Sequence, residues 1–270
     1  MGQIGKEYCG LLAVCTSFPS ELRCFLFLKR MEIIFLGLVF VIAFLYASVG
    51  HGGASGYLAI MVLFGMSPLA MRSSVLVLNI MVSGIAFFQY YRGRHFSTAL
   101  LWPFVITSIP MALLGSLTPV HLQFFRILLM ICLLAGVFRL IYDVHKQYEI
   151  RPISIPLALI VGGIIGYISG MIGIGGGILL SPIILLFRWG TPKEVAAVSA
   201  PFILLNSIAG LLGTWHNQTF VFNHLILAMW ITAISGGFLG AFMGSFRWNH
   251  QVLKYVLALI LLIASFKLVV

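Results

Sequence analysis

Long apolar runs follow one another along this chain with only short polar breaks between them, near residues 33–50, 73–91, 98–117, 121–142, 155–173, 195–214, 222–245 and 249–269. A bilayer core about 30 Å thick is crossed by about 20 apolar residues in a helix, so each of these runs is long enough to span it. Lipid offers the backbone no hydrogen-bond partner, and the spans are therefore expected to be helices. A β-barrel would alternate polar and apolar residues, whereas residues 155–172 and 252–263 are apolar on every face. Composition agrees: 61% of the 270 residues are hydrophobic and 8% are charged, outside the range of soluble folds.

The position of the acids narrows the function. Glu7, Glu21, Glu32, Asp143, Glu149 and Glu194 all lie outside the apolar runs or at their edges. Proton relays and cation-coupled pumps commonly use a carboxylate within the membrane, so its absence points to an anion or a neutral solute. The net charge of +10 has an ordinary explanation in cytoplasmic loops and anionic lipid. Cys9, Cys15, Cys24 and Cys132 form no CxxC pair and have no histidine at zinc-ligand spacing, which indicates neither a metal site nor a disulfide framework. The phosphate-loop pattern is absent, and the glycines at 173–177 are flanked by spans rather than by the strand and helix of a dinucleotide site. No cofactor is expected. An intramembrane enzyme would need an acid pair, a metal set or a Ser-His pair, so no enzyme is expected either.

Gly50-His51-Gly52-Gly53 aligns with Gly173-Ile174-Gly175-Gly176, and the alignment then pairs Phe64 with Phe187, Asn79 with Asn206, Gly115 with Gly240, Arg126 with Lys254 and Arg139 with Lys267. A polar Asn and a glycine run in register indicate duplication more strongly than matches between apolar residues. The expected organisation is an N-terminal extension over 1–30 that is dispensable, a first transmembrane repeat over 31–143, a cytoplasmic linker over 144–154 and a second repeat over 155–270. Two short apolar stretches, 57–66 and 178–187, follow the glycine breaks and suit half-helices. If they do not cross, the chain makes eight crossings with both termini cytoplasmic, sorting ten Lys and Arg residues, Lys29, Arg30, Arg92 and Arg94 among them, against six that include Lys193 and Arg247. If they cross, each repeat has five spans and the two are inverted. That arrangement puts Arg139, Lys146 and Arg151 outside and ranks second.

A glycine run before a half-helix leaves its first N–H groups free at the positive end of the helix dipole, a ready site for an anion. Gly52, Gly53 and Ser55 in the first break and Gly175, Gly176 and Gly177 in the second are the expected substrate-binding elements. Tight helix packing through small residues is the alternative. Asn79 and Asn206 sit in otherwise apolar helices, where an unbonded amide costs free energy, so each either binds substrate or pairs with a neighbouring helix. Arg72, Asn79 and Ser83 share one helical face and could line a polar path, although Arg72 near the span's end also suits snorkelling. His51 could bind an anion or carry a proton.

Val49-Gly-His-Gly-Gly-Ala-Ser-Gly-Tyr57, Met71-Arg72, Leu78-Asn79, Ser169-Gly-Met-Ile-Gly-Ile-Gly-Gly-Gly177, Thr191-Pro-Lys-Glu194 and Leu204-Leu-Asn-Ser-Ile-Ala-Gly210 resemble the sulfite exporter TauE/SafE family of membrane transporters, over nearly the whole chain from Met31 onward. His51 departs from that family's commoner glycine-only form. The resemblance implies an all-α integral membrane protein of about eight transmembrane helices in two repeats, lying in a bacterial-type inner (plasma) membrane. It also implies movement of sulfite, a sulfonate or a related sulfur-containing anion. The expected partners are thus a small inorganic or organic anion and the lipid bilayer, with no nucleic acid.

Overall fold

A computed structural model describes residues 21–64, 68–118, 150–214 and 224–249, with 251–253, 255, 256 and 259 of the helix that follows. In chain order the helices are α1 (Glu21–Ser48), α2 (Ala54–Leu63), α3 (Pro68–Arg92), α4 (Thr98–Leu117), α5 (Ile155–Ile172), α6 (Gly177–Phe187), α7 (Pro192–Thr214) and α8 (His224–Phe242), the last continued by a π-helical turn, Met243–Arg247. Six are long and apolar enough to cross a membrane, and no strand occurs among the described residues. The expected span near 121–142, most of that near 249–269, and Arg126, Arg139, Lys254 and Lys267 lie outside the described residues, as do residues 1–20. α1 already runs through 21–30, so Met31 falls inside a continuous helix.

Large apolar side chains face outward along the spans: Ile106 and Leu114 on α4, Ile160 and Ile164 on α5, Ile231 and Phe238 on α8. Water would penalise so wide an apolar surface, whereas lipid does not. Between helices, small residues take over. A Cβ at Gly162, Gly166 or Gly170 of α5 would collide with the carbonyls of Phe104, Ser108 and Ala112 on α4, and one at Gly236, Gly240 or Gly244 with those of Phe40, Phe44 and Ser48 on the α1 side. Glycine every fourth residue makes a smooth stripe on which a neighbouring backbone can lie.

These contacts also fix direction. Residue numbers rise together in both glycine interfaces, so α4 runs parallel to α5 and α1 parallel to α8. Gly237 meets Val82, and Ser245 Oγ donates to the Gln89 carbonyl, which makes α3 parallel to α8. In the other group, Leu100 lies against Gly190 and Ser116 against Gly213, so α7 runs with α4. The two groups oppose each other, because Tyr90 packs with Ala196 and Leu76 approaches Gly210. With Gly50 and Gly173 as equivalent points, α1 and α3 therefore run opposite to α5 and α7.

That geometry corrects the sorting of charges ranked first from sequence. α1 and α3 are parallel, so Lys29 and Arg30 lie at the face opposite Arg92 and Arg94. Lys193, expected opposite Arg92 and Arg94, shares their face: its Nζ and His95 Nε2 both donate to the Ser245 carbonyl at 3.2 Å. The same face carries Arg151, whose N–H donates to the Arg188 carbonyl at 2.8 Å. The physical reason is that the short helices return. Gly56 of α2 lies against Ile42 and Tyr46, and Phe64 packs edge-on against Phe35 with ring centroids 5.0 Å apart, so α2 retraces α1 toward its start. α6 does the same along α5, ending with Trp189 beside Phe104 and Arg188 beside Arg151.

Candidate functional site

Two helical hairpins, α1–α2 and α5–α6, thus enter from opposite faces with a glycine break at each tip. α2 has 10 residues and α6 has 11. At 1.5 Å per residue either covers about half of the bilayer core. Glycine is required where the chain reverses: Gly50, Gly53, Gly173, Gly175 and Gly176 all have φ between 75° and 92°, in the left-handed region where a Cβ is strained.

The tips meet between α3 and α7. A Cβ at Gly52 would run into Asn79 Oδ1 and lie 3.1 Å from Ile203; one at Gly175 would lie 2.8 Å from both Ile203 and Ser207 and 3.1 Å from Asn79 Nδ2. At Gly177 it would strike Ile203 and come within 3.2 Å of the His51 ring. His51, Gly52, Asn79, Gly175 and Gly177 are therefore brought to one place around Ile203, with residues from both halves interleaved. Gly176 caps α6 with no side chain and faces Ile165, Ser169 and Phe202. The first N–H groups of α6 have no acceptor within the helix. In the other tip Gly53 lies under the Tyr57 ring, and Ser55 Oγ is held by Tyr46 OH at 2.8 Å.

The two asparagines differ. Asn79 Nδ2 donates to the Ile174 carbonyl at 3.1 Å and to Ser207 Oγ at 3.4 Å, so α3 grips the opposite hairpin's tip, while Asn79 Oδ1 has no partner. Asn206 is 2% exposed and neither its Oδ1 nor its Nδ2 has a partner. Native interiors rarely leave a buried amide unbonded, because the loss is about 1–3 kcal/mol per group. Ser83 does not line a path with Asn79; its hydroxyl turns back to the Asn79 carbonyl at 2.5 Å. Arg72 stands in the second turn of α3, and its side chain lies outside the described residues.

Sequence reasoning missed Ser181, and met Ser169 and Ser207 only as members of the motifs that carry the family resemblance. His51 Nε2 lies 2.8 Å from Ser181 Oγ, which lies 2.8 Å from Ser199 Oγ, and all three residues are buried. A lone hydroxyl in the otherwise apolar α6 is the signal that could have flagged Ser181. Away from the tips, the charged face is built on the π-turn: burial holds the His95 imidazole below its ordinary range, opposed by its bond to the Ser245 carbonyl. No group of three metal-ligating side chains occurs among the described residues.

Half-helices that meet inside a bundle of apolar spans are an arrangement found in multi-pass membrane transporters. The chain belongs to the sulfite exporter TauE/SafE family, whose profile matches residues 35–268. It is 36% identical over 235 residues to the "Probable membrane transporter protein y4hK" of Sinorhizobium fredii, covering 85% of this chain and 94% of that one. A second relative, the "Probable membrane transporter protein MJ0441" of Methanocaldococcus jannaschii, is 36% identical over 67 residues, 24% of this chain and 25% of its own. No solved structure matches the chain.

Proposed function

We propose that the protein is a secondary transporter of a small sulfur-containing oxyanion, sulfite or a sulfonate, held where the two hairpin tips meet. The observation that carries this reading is a pair of buried amides with unfinished hydrogen bonds, Asn206 and Asn79 Oδ1, on the two helices between which the glycine-led tips meet. Gly52, Gly53, Gly175, Gly176 and Gly177 give close backbone approach and N–H donors. Asn79 and Asn206 supply polar contacts on the two sides, with Ser55, His51 and Arg72 completing the proposed set. A sulfur oxyanion presents several acceptor oxygens to such donors, and positive helix ends favour its charge. Inverted halves meeting at a central site allow the site to open to either face as one half rocks against the other.

The matched halves are read as a duplication, and the membrane as a bacterial-type inner membrane. The face bearing Arg92, Arg94, Arg151, Arg188, Lys193 and Arg247 is placed in the cytoplasm, because loops rich in Lys and Arg stay inside. Cysteines introduced at Arg94 and Thr191 should label from one side and a cysteine at His224 from the other. Labelling of Arg94 and Thr191 from opposite sides would restore the parallel arrangement.

The function is tested by flux of sulfite, sulfonates and control ions in proteoliposomes, with and without an imposed potential or pH gradient. Uptake of a sulfur oxyanion above that of empty vesicles is expected. Indifference to every anion, with a flux that follows a cation, would overturn the reading.

A further inference from the structure

His51 is the one buried side chain among the described residues able to carry a positive charge. It stands at the tip of the first hairpin, its ring beside Gly177 at the start of α6, and its Nε2 heads the hydrogen-bonded series His51, Ser181, Ser199 that crosses from one hairpin through the other to α7. The groups that face it are the Tyr46 phenol from α1, with ring centroids 6.4 Å apart, Gly177 and Ser181 from α6, and Ser199 from α7; across Gly52 lies the Asn79 amide of α3. Next to it, the Tyr57 phenol of α2 covers Gly53. None of these carries a fixed charge at neutral pH.

An anion entering this site brings a charge that the helix ends offset only in part into a medium of low dielectric, and a proton on His51 alone would bring one of opposite sign. Together they make a neutral pair. Each therefore strengthens the binding of the other, which is what coupling between two ligands means. We propose that His51 is the proton site of the transporter, so that one proton travels with the anion. This rests on the anion-transport reading above and names its coupling ion.

The serines fit the task because a hydroxyl both donates and accepts. With His51 neutral and Nε2 accepting, Ser181 donates to the ring and accepts from Ser199. A hydronium in the pathway gives a proton to Ser199 Oγ, Ser199 passes its own hydroxyl proton to Ser181, and Ser181 passes its own to Nε2. Water, both hydroxyls and a singly charged imidazolium result, with every hydrogen bond reversed. Ser83 and Ser116, by contrast, turn inward on their own helix, and Ser245 meets a neighbouring backbone.

The test is equilibrium binding of methanesulfonate and thiosulfate, whose charges do not change near neutral pH, to the purified full chain across a pH series. Proton-linked binding predicts an affinity that falls by about tenfold per pH unit on the alkaline side. His51→Gln keeps a hydrogen-bonding group toward Ser181 but cannot be charged, and its residual binding should show no pH slope. In proteoliposomes the native protein should acidify the lumen as the anion enters, and Ser199→Ala should slow that acidification relative to anion exchange. A native affinity independent of pH, or a slope that survives in His51→Gln, would overturn the proposal while leaving anion transport standing. No binding or flux of any sulfur oxyanion by the native protein would remove the transport reading, and this inference with it.

Discussion

The two hairpin tips share a backbone plan and differ in how they are held. The α5–α6 tip is pinned from outside its own half, with the Ile174 carbonyl bonded to Asn79 and Gly175 against Ser207. The α1–α2 tip has its matching asparagine, Asn206, close at hand in sequence register, yet that amide is bonded to nothing. Instead the first tip is tied by its side chains, His51 to Ser181 and Ser55 to Tyr46. Residues that align between the two parts of the sequence thus differ in their contacts. One asparagine bonds to the tip opposite it, and the other has no partner.

Breaking the tip itself should have the largest effect. Gly176→Val places a branched side chain at a φ of 77° against Ile165, Ser169 and Phe202, and flux should be lost completely. Gly84→Ala is the control, since nothing lies within 4 Å of a Cβ there, and it should leave flux and folded yield unchanged. Equal losses in the two variants would show that the position of the glycine does not matter.

Next comes the grip on the second tip. Asn79→Leu leaves the Ile174 carbonyl without its donor, and the loss of stability should be about 1–3 kcal/mol, read as a lower midpoint in detergent unfolding. Asn206→Leu removes a polar group that has no partner, so its midpoint should fall by less than that or rise. Equal destabilisation by the two would mean that Asn206 is a second structural clamp.

The smallest effect is expected at the N-terminus. A chain beginning at Met31 retains all but the first two residues of the candidate span Lys29–Ser48 and should insert and transport as the full chain does. It loses the first turns of α1, residues 21–30, so a drop in folded protein would show that this helical extension is needed.

The helical fold and the two half-helices were legible in the sequence, because apolar length and glycine placement are local properties. The direction of the short helices was not. Ten or so apolar residues do not reveal by length whether a stretch crosses or not, and the docking of Gly56 on Ile42 and of Phe64 on Phe35 is what shows α2 returning along α1. Charge counting could not substitute, since Lys193 and Arg94 are distant in sequence and are brought to one face by α3, α7 and α8. At the site, the glycines and asparagines were legible as polar or small residues out of place in apolar runs. Their partners were not, since Asn79 bonds across 95 positions to a backbone carbonyl and His51 across 130 to a serine. Isolated serines in spans usually bond to their own helix, which hides one that does otherwise.

The proposed site binds an anion where the tips meet, with Asn206 open to receive it. Equilibrium binding of sulfite to purified native protein and to Asn206→Leu, at matched folded fraction, tests this directly. A hydrogen bond to a charged ligand contributes about 1.5–3 kcal/mol, so the variant should bind about ten- to a hundredfold more weakly with its unfolding midpoint preserved. Sulfite affinity equal to that of the native protein in a folded Asn206→Leu would contradict it.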